Sequence, residues 1–157
     1  MPAQIISGTE TARAIRTELA AEVARLKQEH NLVPGLVTVL VGEDPASQSY
    51  VAAKNRTAHA LGIHSEQLTL PADTAEADLL ARIDGYNQDP AIHGILVQLP
   101  LPRHINEAKV LFAIDPAKDV DGFHPVNVGK MLLGEPCFLP CTPHGILELL
   151  QRAGVQT

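Results

Sequence analysis

Apolar positions along this chain follow two alternating rhythms. Over residues 12–30 they recur at helical spacing, and Ser7 with Glu10 three residues later forms a capping-box pattern just ahead of them. The next run, Leu36-Val-Thr-Val-Leu-Val41, is continuous and rich in β-branched residues, as in a strand buried on both faces. A helix is predicted over 46–61 with Gly62 placed to end it. Alternation then predicts a strand over 63–70. Thr74 is positioned to cap a helix over 75–87, and Asp89-Pro90 breaks the chain. Residues 92–99 read as another buried strand, and 105–114 return to helical spacing.

This order, α-β-α-β-α-β-α, predicts an α/β fold: a three-layer α-β-α domain around a mainly parallel sheet. After Asp115 the character changes. Pro116, Gly122, Pro125, Gly129, Gly134, Pro136, Pro140 and Pro143 punctuate short helical pieces, and Thr142 is placed to cap a last helix over 143–152. The expected division is a domain over 1–118 and a bridging segment over 119–157. No strand follows to receive the last helix, which leads to the expectation that more protein follows.

Composition narrows the picture. At 157 residues, 45% hydrophobic but only 3% aromatic and without Trp, the chain is one ordinary domain with an aliphatic core. A net charge of −6 argues against nucleic acid and against an anionic membrane surface, both of which need a basic stripe. The first ten residues lack a basic region followed by an apolar run, and nothing approaches the roughly 20 apolar residues of a membrane span, so a cytoplasmic location is expected. Cys137 and Cys141 are the only cysteines and read as reduced thiols in the core.

Three segments carry candidate chemistry. In Ser47-Gln-Ser-Tyr50-Val-Ala-Ala-Lys54, a phenol and an amine one helical turn apart point the same way, with Ser47 expected on the same face. Tyr-x-x-x-Lys also occurs in short-chain dehydrogenases, but those need a glycine-rich dinucleotide turn, and here the first strand runs into Gly42-Glu-Asp-Pro. Taken alone, Lys54 reads first as a solvated surface lysine. In Gly94-Ile-Leu-Val-Gln98-Leu-Pro100-Leu-Pro102, an amide stands near the carboxyl end of an apolar strand, where ligands of open α/β sheets bind. Alone it reads first as serving a loop's backbone groups, as most polar groups at strand ends do. In Lys118-Asp119-Val-Asp121-Gly122-Phe-His124-Pro125, the carboxylate of Asp121 is aimed at a ligand or belongs to a turn. A calcium loop is disfavoured because its glycine is misplaced and Lys130 stands at the twelfth position. The Cys-x-x-x-Cys-x-x-His spacing suits no compact zinc site.

These segments, with Asn127-Val-Gly129 and Pro140-Cys-Thr-Pro143-x-Gly145, occur in the order and spacing of one family. From the first helix onward the chain closely resembles the bifunctional methylenetetrahydrofolate dehydrogenase/methenyltetrahydrofolate cyclohydrolases, in their amino-terminal catalytic part. The resemblance implies an NADP-linked oxidation of 5,10-methylenetetrahydrofolate and hydrolysis of the methenyl product to 10-formyltetrahydrofolate. It makes Lys54 the key acid–base residue, with Gln98 positioning it, Tyr50 stacking on the folate and Asp121 holding the amino-pyrimidine end of the pterin. Ser47, Leu99, Pro100 and Gly122 would complete the substrate-binding set. Relatives of this kind are commonly homodimers and continue into a Rossmann-type domain with a glycine-containing nucleotide loop. That platform is not in this sequence, so hydride transfer by this polypeptide alone is expected to be undetectable. A stand-alone folate-binding module without useful turnover is the alternative.

Overall fold

The structure is a computed structural model that describes residues 5–156; residues 1–4, where a leader would begin, and Thr157 lie outside the described residues. Its elements are α1 (Gly8–His30), β1 (Gly35–Val41), α2 (Pro45–Ala60), β2 (His64–Leu70), α3 (Glu76–Gln88), β3 (Gly94–Val97), α4 (Glu107–Ala113), α5 (Pro125–Leu133) and α6 (Cys141–Arg152). The alternation expected from the sequence is present. The three strands form a parallel sheet in the order β2-β1-β3, with Leu36 opposite both Ser65 and Gly94.

The central strand explains the layers. Successive side chains of β1 point to opposite faces. Val37, Val39 and Val41 join Ile95 and Val97 of β3, Leu79 and Ile83 of α3, and Val110 of α4 in one aliphatic cluster. Each of these side chains contributes roughly 1.5–3 kcal/mol by leaving water. The opposite face is covered by α2, which packs on β1 and β2 and buries Val51 and Ala58. Helix α1 stands apart from the sheet and meets α6, where the Arg152 guanidinium pairs with Glu18 at 2.8 Å.

Helix starts follow local chemistry, with two departures from expectation. The Ser7 hydroxyl accepts the Glu10 N–H at 3.3 Å, so α1 begins four residues before the apolar repeat. Thr74 does not cap α3. Its hydroxyl donates to the Pro71 carbonyl instead, and α3 starts after Ala75 with Glu76 and Asp78 in its positive first turn. Thr142 does not cap α6 either, because that helix starts two residues earlier, after Pro140, and has no side-chain cap. Strand β3 ends at Val97 rather than 99: Gln98 gives its N–H to Val39 O (2.8 Å), and the chain turns away through the cis Leu99–Pro100 bond.

Candidate active site

The carboxyl ends of the strands bring the predicted residues together. Tyr50 and Lys54 lie one turn apart on α2, Gln98 directly follows β3, and Asp121 sits on the loop before α5. All four line one cavity of about 1130 Å³, together with Leu99 and the first turn of α6. Tyr50 is 66% exposed, so its ring is open to a flat ligand rather than committed to the core.

Lys54 and Gln98 touch. The Lys54 Nζ donates to Gln98 Oε1 at 3.1 Å, and Gln98 Nε2 donates to the Leu99 carbonyl at 2.8 Å. The second bond fixes the first: with its NH₂ spent on Leu99, the amide must present oxygen to the lysine. Asp121 faces this pair across the cavity, and no basic side chain forms a salt bridge with it among the described residues.

The loop that carries Asp121 is held by its neighbours. Lys118 sends its ammonium to the carbonyls of Tyr86 (2.9 Å) and Asp89 (2.8 Å), at the carboxyl end of α3, where a cation is favoured. Lys118 O accepts Ile95 N–H at 2.8 Å, which ties the loop to β3. Val120 packs so tightly over Gly94 that a Cβ there would lie 2.6 Å from its Cγ1. Gly122 takes φ +69°, and a Cβ would meet Leu139 C at 2.6 Å and Pro140 N at 2.8 Å. Gly122→Ala is therefore expected to cost about 1–3 kcal/mol through strain and overpacking, read as a lower urea midpoint. An unchanged midpoint would show that the 138–140 segment does not rest on this glycine.

Three expected site residues stand elsewhere. Ser47 is buried at 4% exposure with Val51 and Ala58, turned toward the sheet, and its N–H is bound to Asp44 Oδ2 at 2.7 Å. Its helical angle lies closer to Val51 than to Tyr50, which removes it from the Tyr50 face. Pro100 is exposed behind the cavity wall, and Gly122 shapes the wall without lining it.

Cys141 and Cys137 are not core thiols. Cys137 is half-buried and Cys141 exposed, at the start of α6 on the cavity. A proline-bounded helix start faces solvent unless something packs on it, and the sequence pattern held no signal for that. The Cys141 sulfur turns inward and donates to Val120 O at 3.4 Å. Loss of hydration raises the thiol pKa, and the Asp121 carboxylate beside it raises it further. Alkylation of Cys141 by iodoacetamide at pH 8 is thus expected to be slow, and to quicken in Asp121→Asn, because the thiolate is the reactive form. Equal rates, resolved by peptide mass spectrometry, would place the carboxylate away from the thiol.

The turn after β1, where an α/β fold would seat a dinucleotide's pyrophosphate at the start of α2, does not fit that group. That helix start is capped by the Asp44 carboxylate, has a proline in its first turn, and presents acid where phosphate would need free N–H groups.

The profile described as "Tetrahydrofolate dehydrogenase/cyclohydrolase, catalytic domain" matches residues 6–121. The bifunctional protein FolD of Syntrophobacter fumaroxidans is 64% identical over 156 residues, covering 99% of this chain and 53% of that protein. Its counterpart in Geobacillus thermodenitrificans is 58% identical over 155 residues, covering 99% of this chain and 54% of the relative. Among solved structures, the bifunctional FolD enzyme of Campylobacter jejuni superposes with a TM-score of 0.94 at 41% identity, over 97% of this chain and 54% of that one. The Trypanosoma brucei methylenetetrahydrofolate dehydrogenase-cyclohydrolase, solved with NADP cofactor and an inhibitor, gives 0.93 at 39% identity, over 99% and 54%. The chain spans about half the length of the curated relatives it matches.

Proposed function

Because the chain belongs to the tetrahydrofolate dehydrogenase/cyclohydrolase family, we propose that its cavity binds a tetrahydrofolate bearing a one-carbon bridge and that Lys54 handles the protons of methenyl hydrolysis. The observation that carries this reading is the Lys54–Gln98 pair facing Asp121 across one cavity. Water adds to the electron-poor carbon between N5 and N10 and loses a proton. The C–N5 bond then breaks as N5 takes a proton and the hydroxyl gives up its own, which leaves a formyl group on N10. In this reading Lys54 carries these protons, and Gln98 Oε1 holds its nitrogen at the cavity wall. Tyr50 offers an open aromatic face for the pterin and benzoyl rings, an arrangement worth about 1 kcal/mol beyond burial. Asp121 accepts parallel N–H donors from the amino-pyrimidine edge, a charged bond with fixed geometry. Leu99 supplies apolar wall, while Ser47, Pro100 and Gly122 support it from behind.

NADP-linked oxidation of the methylene form belongs to this reading at the level of the whole family protein. The start of α2 offers no pyrophosphate cradle, and the nicotinamide that takes the hydride is expected to be held by other parts of that protein. The division near residue 118 is part of the same reading: the aliphatic cluster ends at Ile114, and α6 buries none of its residues. A homodimeric parent in the cytoplasm is the matching expectation; among the described residues no helix is long and apolar enough to cross a membrane.

The test is a titration of this chain with tetrahydrofolate, followed by addition of 5,10-methenyltetrahydrofolate and optical detection of its hydrolysis. Saturable binding with turnover supports the proposal. Binding without turnover would reduce the chain to a folate-binding module, and no binding would overturn the reading. Tyr50→Ala is expected to weaken binding about 10-fold, from the lost stacking and burial, with little change in thermal midpoint because the ring is exposed. Equal affinity would take Tyr50 out of the ligand site.

A further inference from the structure

Asp121 is one of two carboxylates in Lys118-Asp-Val-Asp-Gly122, and the other is hidden. Asp119 is 2% exposed and lines no part of the cavity. Its Oδ2 accepts the main-chain N–H of His124 at 2.7 Å and the Asn127 Nδ2 at 2.9 Å. Its own carbonyl accepts the N–H of Gly122 at 3.2 Å. Asp119 therefore closes the loop around Asp121 twice, once through its backbone and once through its side chain. Asn127 extends the closure by donating to Pro116 O at 2.9 Å, and the Asp119 backbone bridges to Ile95 of β3.

We propose that Asp119 is a positioning residue that sets the direction of the Asp121 carboxylate toward its ligand, with Asn127 as its second anchor. This role rests on the folate reading above. A buried ionised carboxylate is costly unless it is well hydrogen-bonded. Here the bonds come from the residue that caps α5 and from a side chain in that helix's first turn, at its positive end. The loop is thereby shaped before any ligand arrives. An acceptor pair that must meet two parallel donors gains from being fixed in advance, because nothing has to be ordered on binding.

Asp119→Ala removes the acceptor of both bonds, whereas Asp119→Asn can set its amide oxygen at the Oδ2 position and keep them. The experiment compares this chain's affinity for tetrahydrofolate and for the analogue lacking the 2-amino group, which cannot offer the paired donors. The wild-type protein is expected to prefer the amino ligand about 10-fold or more, as for a charged hydrogen bond. In Asp119→Ala that preference is expected to shrink to within about 3-fold, while affinity for the analogue stays near wild type. Asn127→Ala removes one anchor and leaves the His124 bond, so an intermediate ratio is expected; it serves as the measure if Asp119→Ala does not fold. A role confined to stability would lower the thermal midpoint and leave the ratio untouched. An unchanged ratio in either folded variant overturns the proposal while the folate reading stands. Failure of the wild-type chain to bind either ligand overturns both.

Discussion

Lys54→Met is expected to bring methenyltetrahydrofolate hydrolysis by this chain down by about 100-fold or more, to the uncatalysed background, while tetrahydrofolate binding stays within a few-fold of wild type. Methionine nearly matches the length of the lysine stem and removes only the charge and the protons. The apolar part of the wall is therefore kept. Gln98 loses the donor to its Oε1 but remains anchored through Nε2 to the Leu99 carbonyl, so the wall should not collapse. Tyr50 and Asp121, which carry the binding in this reading, are untouched. Decay of the methenyl absorbance gives the rate, and an equilibrium titration gives the affinity. Hydrolysis close to wild type in a variant that binds normally would sink the assignment of Lys54.

The second large effect is on affinity. Asp121→Ala is expected to weaken tetrahydrofolate binding by about 10- to 100-fold, since hydrogen bonds to a charged group contribute about 1.5–3 kcal/mol. The side chain is half-exposed and salt-bridges no arginine or lysine among the described residues, so folding has little invested in it. The thermal midpoint should hardly move. That combination separates Asp121 from Asp119, whose buried carboxylate serves the loop itself. Asp121→Asn should fall between, because an amide offers one acceptor where the carboxylate offers two. Wild-type affinity in Asp121→Ala would mean that the carboxylate meets the solvent and not the ligand.

The two carboxylates also show where reading the sequence stops short. Alternation along Lys118-Asp-Val-Asp-Gly122 says that Asp119 and Asp121 are alike, and nothing local says that one is buried. What separates them is α5: the N–H of its capping residue His124 and the Asn127 amide arrive at Asp119 and not at Asp121. Ser47 fails for a related reason. Helical spacing puts it within reach of the Tyr50 face, but the sheet packs against the side of α2 that it shares with Val51. Cys141 reads as a core thiol because cysteines usually are; it stands instead at the mouth of the cavity, because the 138–140 segment crosses Gly122 and delivers α6 there. The misplaced caps at Thr74 and Thr142 are smaller errors of the same kind. Each hydroxyl suits a helix start, but the backbone enters the helix one residue after Thr74 and two before Thr142, away from where the side chains would serve.

The helices and strands and the Tyr50–Lys54 face are legible in the amino acids alone because they rest on periodicities within single elements; the parallel sheet follows from the alternation of those elements, and the family from the order and spacing of motifs along the chain. Folding in three dimensions was needed to show that Gln98 reaches Lys54 at 3.1 Å, that Asp121 faces them, and that Asp119 does not. The first of these relations joins residues 44 positions apart, and the others turn on which side of a loop a later helix lands. No local pattern encodes such distances. They are set when β1 takes β2 and β3 as neighbours and the aliphatic side chains between sheet and helices leave water together.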